Sequence, residues 1–182
     1  MSKFYPAIDG QFQEFIEEQK MFFTATAPAS GRVNVSPKGM DTFRVLGPNR
    51  VAYMDLTGSG NETAAHVSEN GRLTIMFCNF GRQPMIMRLF TTAHIVMNGD
   101  DEWDSLLALF PALPGTRQIF VAEVHQVQTA CGFGVPEFDL KRERPTLQQW
   151  SEAKGEEGMM EYWADNNMES IDGLPTNLRI DS

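Results

Sequence analysis

Several kinds of feature are missing from this chain, and each absence narrows what it can be. No apolar stretch approaches the roughly 20 residues that a membrane helix needs, and the N-terminus, MSKFYPAIDG, lacks the basic-then-apolar layout of a secretory signal. Cysteine is scarce. Cys78 and Cys131 are the only two in 182 residues and have no metal-ligand spacing, so a disulfide framework is not expected and a reducing cytoplasm is. The three histidines, His66, His94 and His125, form no HExxH-type pair, so no metal site is expected. Positive charge is also in deficit: 15 Lys and Arg stand against 24 Asp and Glu, for a net charge of −9. That balance argues against a general nucleic-acid or anionic-membrane binder.

What remains is an ordinary globular composition, 42% hydrophobic and 21% charged, long enough to bury a core of its own. One domain over 1–182 is expected, with a helical C-terminal extension from about residue 137. The charge is uneven. Between Pro28 and Phe90 seven bases (Arg32, Lys38, Arg44, Arg50, Arg72, Arg82, Arg88) outnumber four acids (Asp41, Asp55, Glu62, Glu69), so this segment carries +3 and the remainder −12. Arg32, Arg50 and Arg72 each adjoin a Gly or Asn and read as solvated turn residues. The others mark where a small anion would be sought.

Asp9 to Lys20 has Phe12, Phe15, Ile16 and Gln19 at helical spacing, with Asp9 placed to cap the start. MFFTATA, GRVNVSP, FRVLG and RVAYMDL follow as short β-branched and aromatic runs, separated by PASG, KGMD and GPN. A glycine-rich loop and a short helix over Asn61–Ser68 lead to Asn70-Gly71, a turn signal. RLTIMFCNF, MIMRLFTTAHIVM and Gln118–Cys131 read as long strands, Glu102–Phe110 as a helix, and Leu147–Asn166 as another. Six or seven strands with few helices describe a mainly β protein. A closed or split antiparallel barrel is expected, because closure removes exposed sheet edges.

Two stretches could carry chemistry. In YMDLTGSGNETAAH a strand ends, Gly58 and Gly60 allow a tight turn and close backbone approach, and a helix begins near Asn61. Thr57, Ser59 and Thr63 add hydroxyls, so unpaired helix N–H groups and a positive dipole end would form a phosphate-sized anion site. A plain turn with Ser, Thr and Asn caps is the other reading. A dinucleotide fingerprint fails: Thr63 stands where its third glycine belongs, no acid follows the next strand, and strands and helices do not alternate. A GxxxxGK[ST] loop is absent altogether. In GRVNVSPKGM, Asn34 and Ser36 share one strand face and Val33 and Val35 the other. Pro37 then ends the ladder, and Lys38 stands in the turn beyond it.

These motifs, with NGRLTIMFCNF and its later PMIMRLF, and CGFGVP with SIDGLP, resemble in order and spacing the FMN-binding split-barrel family related to pyridoxamine 5′-phosphate oxidase. The resemblance runs from about Phe12 to Pro175. It implies a homodimer with FMN at the subunit interface. By residue-for-residue carry-over, Val35, Ser36, Pro37 and Lys38 would line the flavin ring, and Thr57, Gly58, Ser59, Asn61 and Thr63 would hold the phosphate. Arg82 or Arg88 would add positive charge, and Trp150 or Trp163 could cover the ring. The chain departs from the oxidases in having Gly60-Asn61-Glu62 after Ser59 and in ending TNLRIDS, without a Trp and Arg-Leu-His-Arg segment. Pyridoxamine phosphate is therefore not the expected substrate. The expectation is an FMN-dependent oxidoreductase of a small molecule, with no acid or base nominated. The alternative is a non-catalytic flavin-binding or ligand-sensing module. Deazaflavin and haem are the other cofactors that related barrels use.

Overall fold

The computed structural model describes residues 2–180, so Asp181 and Ser182 of the polar tail lie outside it. In chain order the elements are β1 (Lys3–Tyr5), α1 (Gly10–Glu18), β2 (Phe22–Thr26), β3 (Asn34–Lys38), β4 (Phe43–Gly47) and β5 (Arg50–Leu56). They continue with α2 (Glu62–Asn70), β6 (Arg72–Cys78), β7 (Ile86–Val96), α3 (Trp103–Leu107), β8 (Thr116–Ala130) and α4 (Thr146–Asn166). The sheet is antiparallel in the order β3-β2-β6-β7-β8-β5-β4, with β1 added to β8. No ladder joins β3 to β4, so the barrel is split there. The fold class is the mainly β split barrel that the strand pattern implies.

Strand β8 holds the barrel together. Its 15 residues pair with β5 over Thr116–Glu123 and with β7 over Ile119–Ala130. Period-2 alternation turns Leu73, Ile75 and Phe77 of β6 and Met87 and Leu89 of β7 inward, where they meet Tyr53 and Phe120 in the main core. Tyr53 stacks on Phe120 at 4.8 Å, and Phe22 meets Phe43 edge-on at 5.1 Å across the split. A second core forms outside the barrel, where Trp103, Leu106 and Phe110 pack on Met54, Ile119 and Val121.

The strand count of six or seven is corrected to eight by β1. Three residues are too few to show alternation, and their partners, Val127–Thr129, lie at the other end of the chain. Asp9 caps α1 as expected, its carboxylate accepting from the Phe12 N–H at 2.9 Å. The helix expected over Glu102–Phe110 is shorter, because Pro111 and Pro114 stiffen the chain that follows. The helix expected over Leu147–Asn166 is present but breaks at Gly155, whose φ of 66° no helix allows.

After β8 the chain turns sharply at Gly132, where φ is +65° and an added Cβ would lie 2.9 Å from the Met85 backbone nitrogen. Replacing Gly132 by Ala is expected to cost about 1–3 kcal/mol, seen as a lower denaturant midpoint at unchanged slope. An unchanged midpoint would show that this approach is not tight in solution.

Candidate functional site

The site begins with a charge in an improbable place. Asp55 lies on β5 amid apolar neighbours, and its side chain is 2% exposed. Such a carboxylate must be paired and hydrogen-bonded to be tolerated. Three groups meet it. Lys38 Nζ lies 2.6 Å from Oδ1, while Arg117 Nε and Gln118 Nε2 each lie 2.9 Å from Oδ2.

Arg117 and Gln118 are consecutive on a strand and should face opposite ways. A register shift resolves this: Asp55 pairs with Gln118 and Leu56 with Thr116, so Arg117 is the extra residue of a bulge. The bulge aims both side chains at one carboxylate. Burial alone would raise the Asp55 pKa, but Arg117, then Lys38, outweigh it and hold the carboxyl well below the usual carboxylate range.

From this node the bonds spread outward. Arg117 Nη1 donates to the Gly60 carbonyl at 3.0 Å and to Asn167 Oδ1 at 2.7 Å. Gln118 Nε2 also reaches Asn61 Oδ1 at 2.7 Å. Asn61 is the N-cap of α2, yet its side chain makes no capping bond. The start of that helix therefore keeps a positive end without a side-chain cap. Beneath the loop, Thr57 Oγ1 donates to the Gly115 carbonyl at 2.8 Å and accepts from Trp163 Nε1 at 2.8 Å.

Lys38, Asp55, Gly60, Asn61 and Arg117 help to wall a cleft of about 670 Å³. Ser36, Pro37, Lys38, Gly58, Ser59, Asn61 and Thr63, all anticipated from the sequence, line this one cleft. Other anticipated residues lie elsewhere. Val35 is 61% exposed on the opposite face of β3. Thr57 is buried under the loop. Arg82 is exposed in the turn after β6, and Arg88 stands outward on β7 in register with Met76 and Gln128. None of the four lines the cleft, and neither does Trp150 or Trp163.

Asn34, Asp55, Arg117 and the C-terminal Ser170 and Ile171 line it without having been anticipated as site residues, as does Gly60, whose close approach was expected. A lone acid inside RVAYMDL and the Arg-Gln pair opening RQIFV were the available signals for the central pair. Glu62 also lines the cleft, but its Oε1 accepts from the Ile171 N–H at 3.0 Å, which ties the C-terminal hairpin, closed by the Glu169–Pro175 bridge, to α2. Arg32 pairs with Asp172 of the same hairpin, Arg44 with Asp41, and Arg50 with Glu102. Of the seven bases in the positive segment, only Lys38 lines the cleft.

The family model for pyridoxamine 5′-phosphate oxidase matches residues 8–131. The chain belongs to the pyridoxamine 5′-phosphate oxidase family. A family member from Aspergillus flavus, the protein ustO, is 38% identical over 193 residues, covering 96% of this chain and 78% of that protein. The solved structure of HupZ from Group A Streptococcus has a TM-score of 0.53 at 20% identity, covering 66% of this chain and 91% of that one. A candidate pyridoxamine 5′-phosphate oxidase of Lactobacillus delbrueckii gives 0.55 at 18% identity, over 68% of this chain and 94% of that one. At such identities these two structures share the fold. The matched family segment ends at residue 131, so Asn166, Ser170 and Ile171 come to the cleft from outside it.

Replacing Asp55 by Asn is expected to cost about 3–5 kcal/mol at neutral pH, because two cations lose their counter-charge. The sign with pH follows from the depressed pKa. The stability that Asp55 contributes is present above its unfolded pKa of about 3.9 and is lost as pH falls toward the folded value. The variant should therefore show a shallower loss of stability below about pH 4 than the parent. Parallel acid limbs for the two proteins, measured by denaturant titration at several pH values, would contradict this account.

Proposed function

We propose that the cleft holds a flavin mononucleotide and that the chain works as a homodimeric, FMN-dependent oxidoreductase of a small molecule in the cytoplasm. The observation that carries this reading is the convergence of Lys38, Arg117 and the α2 start, left without a side-chain cap, on one cleft of mononucleotide size. The residues present fit a phosphate at the inner end. There Arg117 is 3% and Lys38 19% exposed, Lys38 has donor hydrogens beyond the one given to Asp55, and Gly58 leaves the backbone open to approach. Ser36 and Pro37 on β3 would then flank the ring. Bound FMN supplies two-electron oxidation and reduction, and the chain supplies binding, orientation and the charge around the ring.

The cleft's own charge supports the homodimer. Its wall carries Lys38 and Arg117 against Asp55, Glu62 and Glu169, too little positive charge for a phosphate dianion. Arg82 and Arg88 face outward in one subunit, and Val35 shares the outer side of β3 with Pro37. A second copy laid on this face would cover Val35 and bring its own arginines to the cleft. Thr57 would act from below, by fixing the loop rather than touching the phosphate.

Purified protein should be yellow and release FMN on denaturation; protein that is colourless and takes up no added FMN, or that yields haem or a deazaflavin, would count against the reading. Replacing Lys38 by Gln should weaken FMN binding at least about tenfold, the loss of one charge-assisted hydrogen bond. Replacing the remote Arg72 by Gln should leave it unchanged. Equal affinities in a fluorescence titration of the two variants would remove Lys38 from the site. Turnover of reduced nicotinamide with an artificial acceptor separates an oxidoreductase from a binding module.

A further inference from the structure

A larger cavity lies apart from the cleft. About 1020 Å³ of space separates α3 and the Pro111–Pro114 loop from α4. Its wall is built from Trp103, Leu107, Phe110, Met159 and Trp163, and its outer edge from exposed chain, including Ala112. Two features of the backbone keep it open. Prolines at 111 and 114 stiffen one wall. Gly155 breaks α4 on the other, with φ at 66° and nothing within 4 Å of where its Cβ would be.

Two further observations indicate what would fill it. Ser151 lines the cavity; its hydroxyl, in a residue only 2% exposed, is buried beside Gly115 and has no hydrogen-bond partner among the described residues. A buried hydroxyl left unpaired costs free energy that a ligand group can recover. The ionisable residues lining the cavity are Asp104, Glu152 and Glu156, all acids and all exposed at its edge. An apolar interior with a negative edge and indole walls suits a cation carried on an apolar body, because aromatic faces also attract cations. It repels phosphates and carboxylates.

We propose that this groove is a binding site for a small aromatic or apolar amine that carries no anionic group. The body lies on Trp103, Phe110 and Met159, the ammonium faces Glu152 and Glu156, and a polar atom of the ligand pairs with the Ser151 hydroxyl. The site is separate from the cleft. Its wall meets the loop under that cleft at Thr57, whose Oγ1 accepts from Trp163 Nε1 and whose Oγ1 and N–H both donate to the Gly115 carbonyl. The proposal holds whether or not the cleft takes a flavin.

The test uses the full chain, with any cofactor it retains, and two fluorescent probes of similar body and opposite charge, dansylcadaverine and dansylglycine. The amine should bind saturably at one per chain and at least tenfold more tightly than the carboxylate. Ala112→Trp, which places an indole in the groove from an exposed loop position, should abolish that binding. Glu156→Gln, on the exposed side of α4, should bring the two probes closer in affinity without altering the far-UV circular dichroism. The proposal is overturned if the probes bind equally well to the parent, if neither saturates, or if Ala112→Trp leaves the amine's affinity unchanged. It is equally overturned if Ala112→Trp changes only the self-association of the chain in sedimentation, which would assign the groove to a second copy.

Discussion

A carboxylate removed from water has to be matched at every lone pair, and Asp55 imposes that requirement on this barrel. Its partners come from two strands other than its own β5: Lys38 ends β3, and Arg117 and Gln118 stand side by side on β8. The bulge at Arg117 is the backbone's answer, since a regular ladder would send one of the two β8 side chains to the opposite face. Gln118 then engages Asn61 and removes it from capping α2, while Arg117 engages Asn167 and fixes the return of the chain after α4. The open helix start, the cleft's cations and the position of the C-terminal hairpin all trace to this one charge.

Much of this order can be read from residue patterns. Asp9 capped its helix, alternation separated the two faces of β3, and the Gly58–Thr63 loop and Lys38 line one cleft. The Asp55–Arg117 pair shows why the rest was hidden. The two residues lie far apart in the chain, and only a one-residue bulge brings Arg117 to Asp55, an irregularity with no local signature. Within the basic segment, Arg32 and Arg50, read as solvated turn residues, pair with Asp172 and Glu102, and Arg44 pairs with Asp41. Thr57 belongs to the loop that lines the cleft but faces its underside, where Gly115 and Trp163 hold it.

The C-terminal part of the chain does two things. The hairpin after α4 closes one side of the cleft through Ser170 and Ile171, tied down by Glu62 and by Arg32 with Asp172. Helix α4 itself walls a second, apolar cavity rimmed by acids, so the chain has two concavities of different lining: polar with charges of both signs within the barrel mouth, apolar with an acidic rim outside it. Trp163 stands between them, one face in the groove wall and its N–H on Thr57.

The central claim is that the start of α2 and Lys38 receive the phosphate of a flavin mononucleotide. A crystal structure of the protein soaked with FMN tests it most directly. The account predicts phosphate oxygens within hydrogen-bond distance of the backbone N–H groups that open α2 and of Lys38 Nζ, with Asp55 still paired to Arg117. Phosphate bound elsewhere, or a cleft that stays empty while FMN binds another surface, would contradict it.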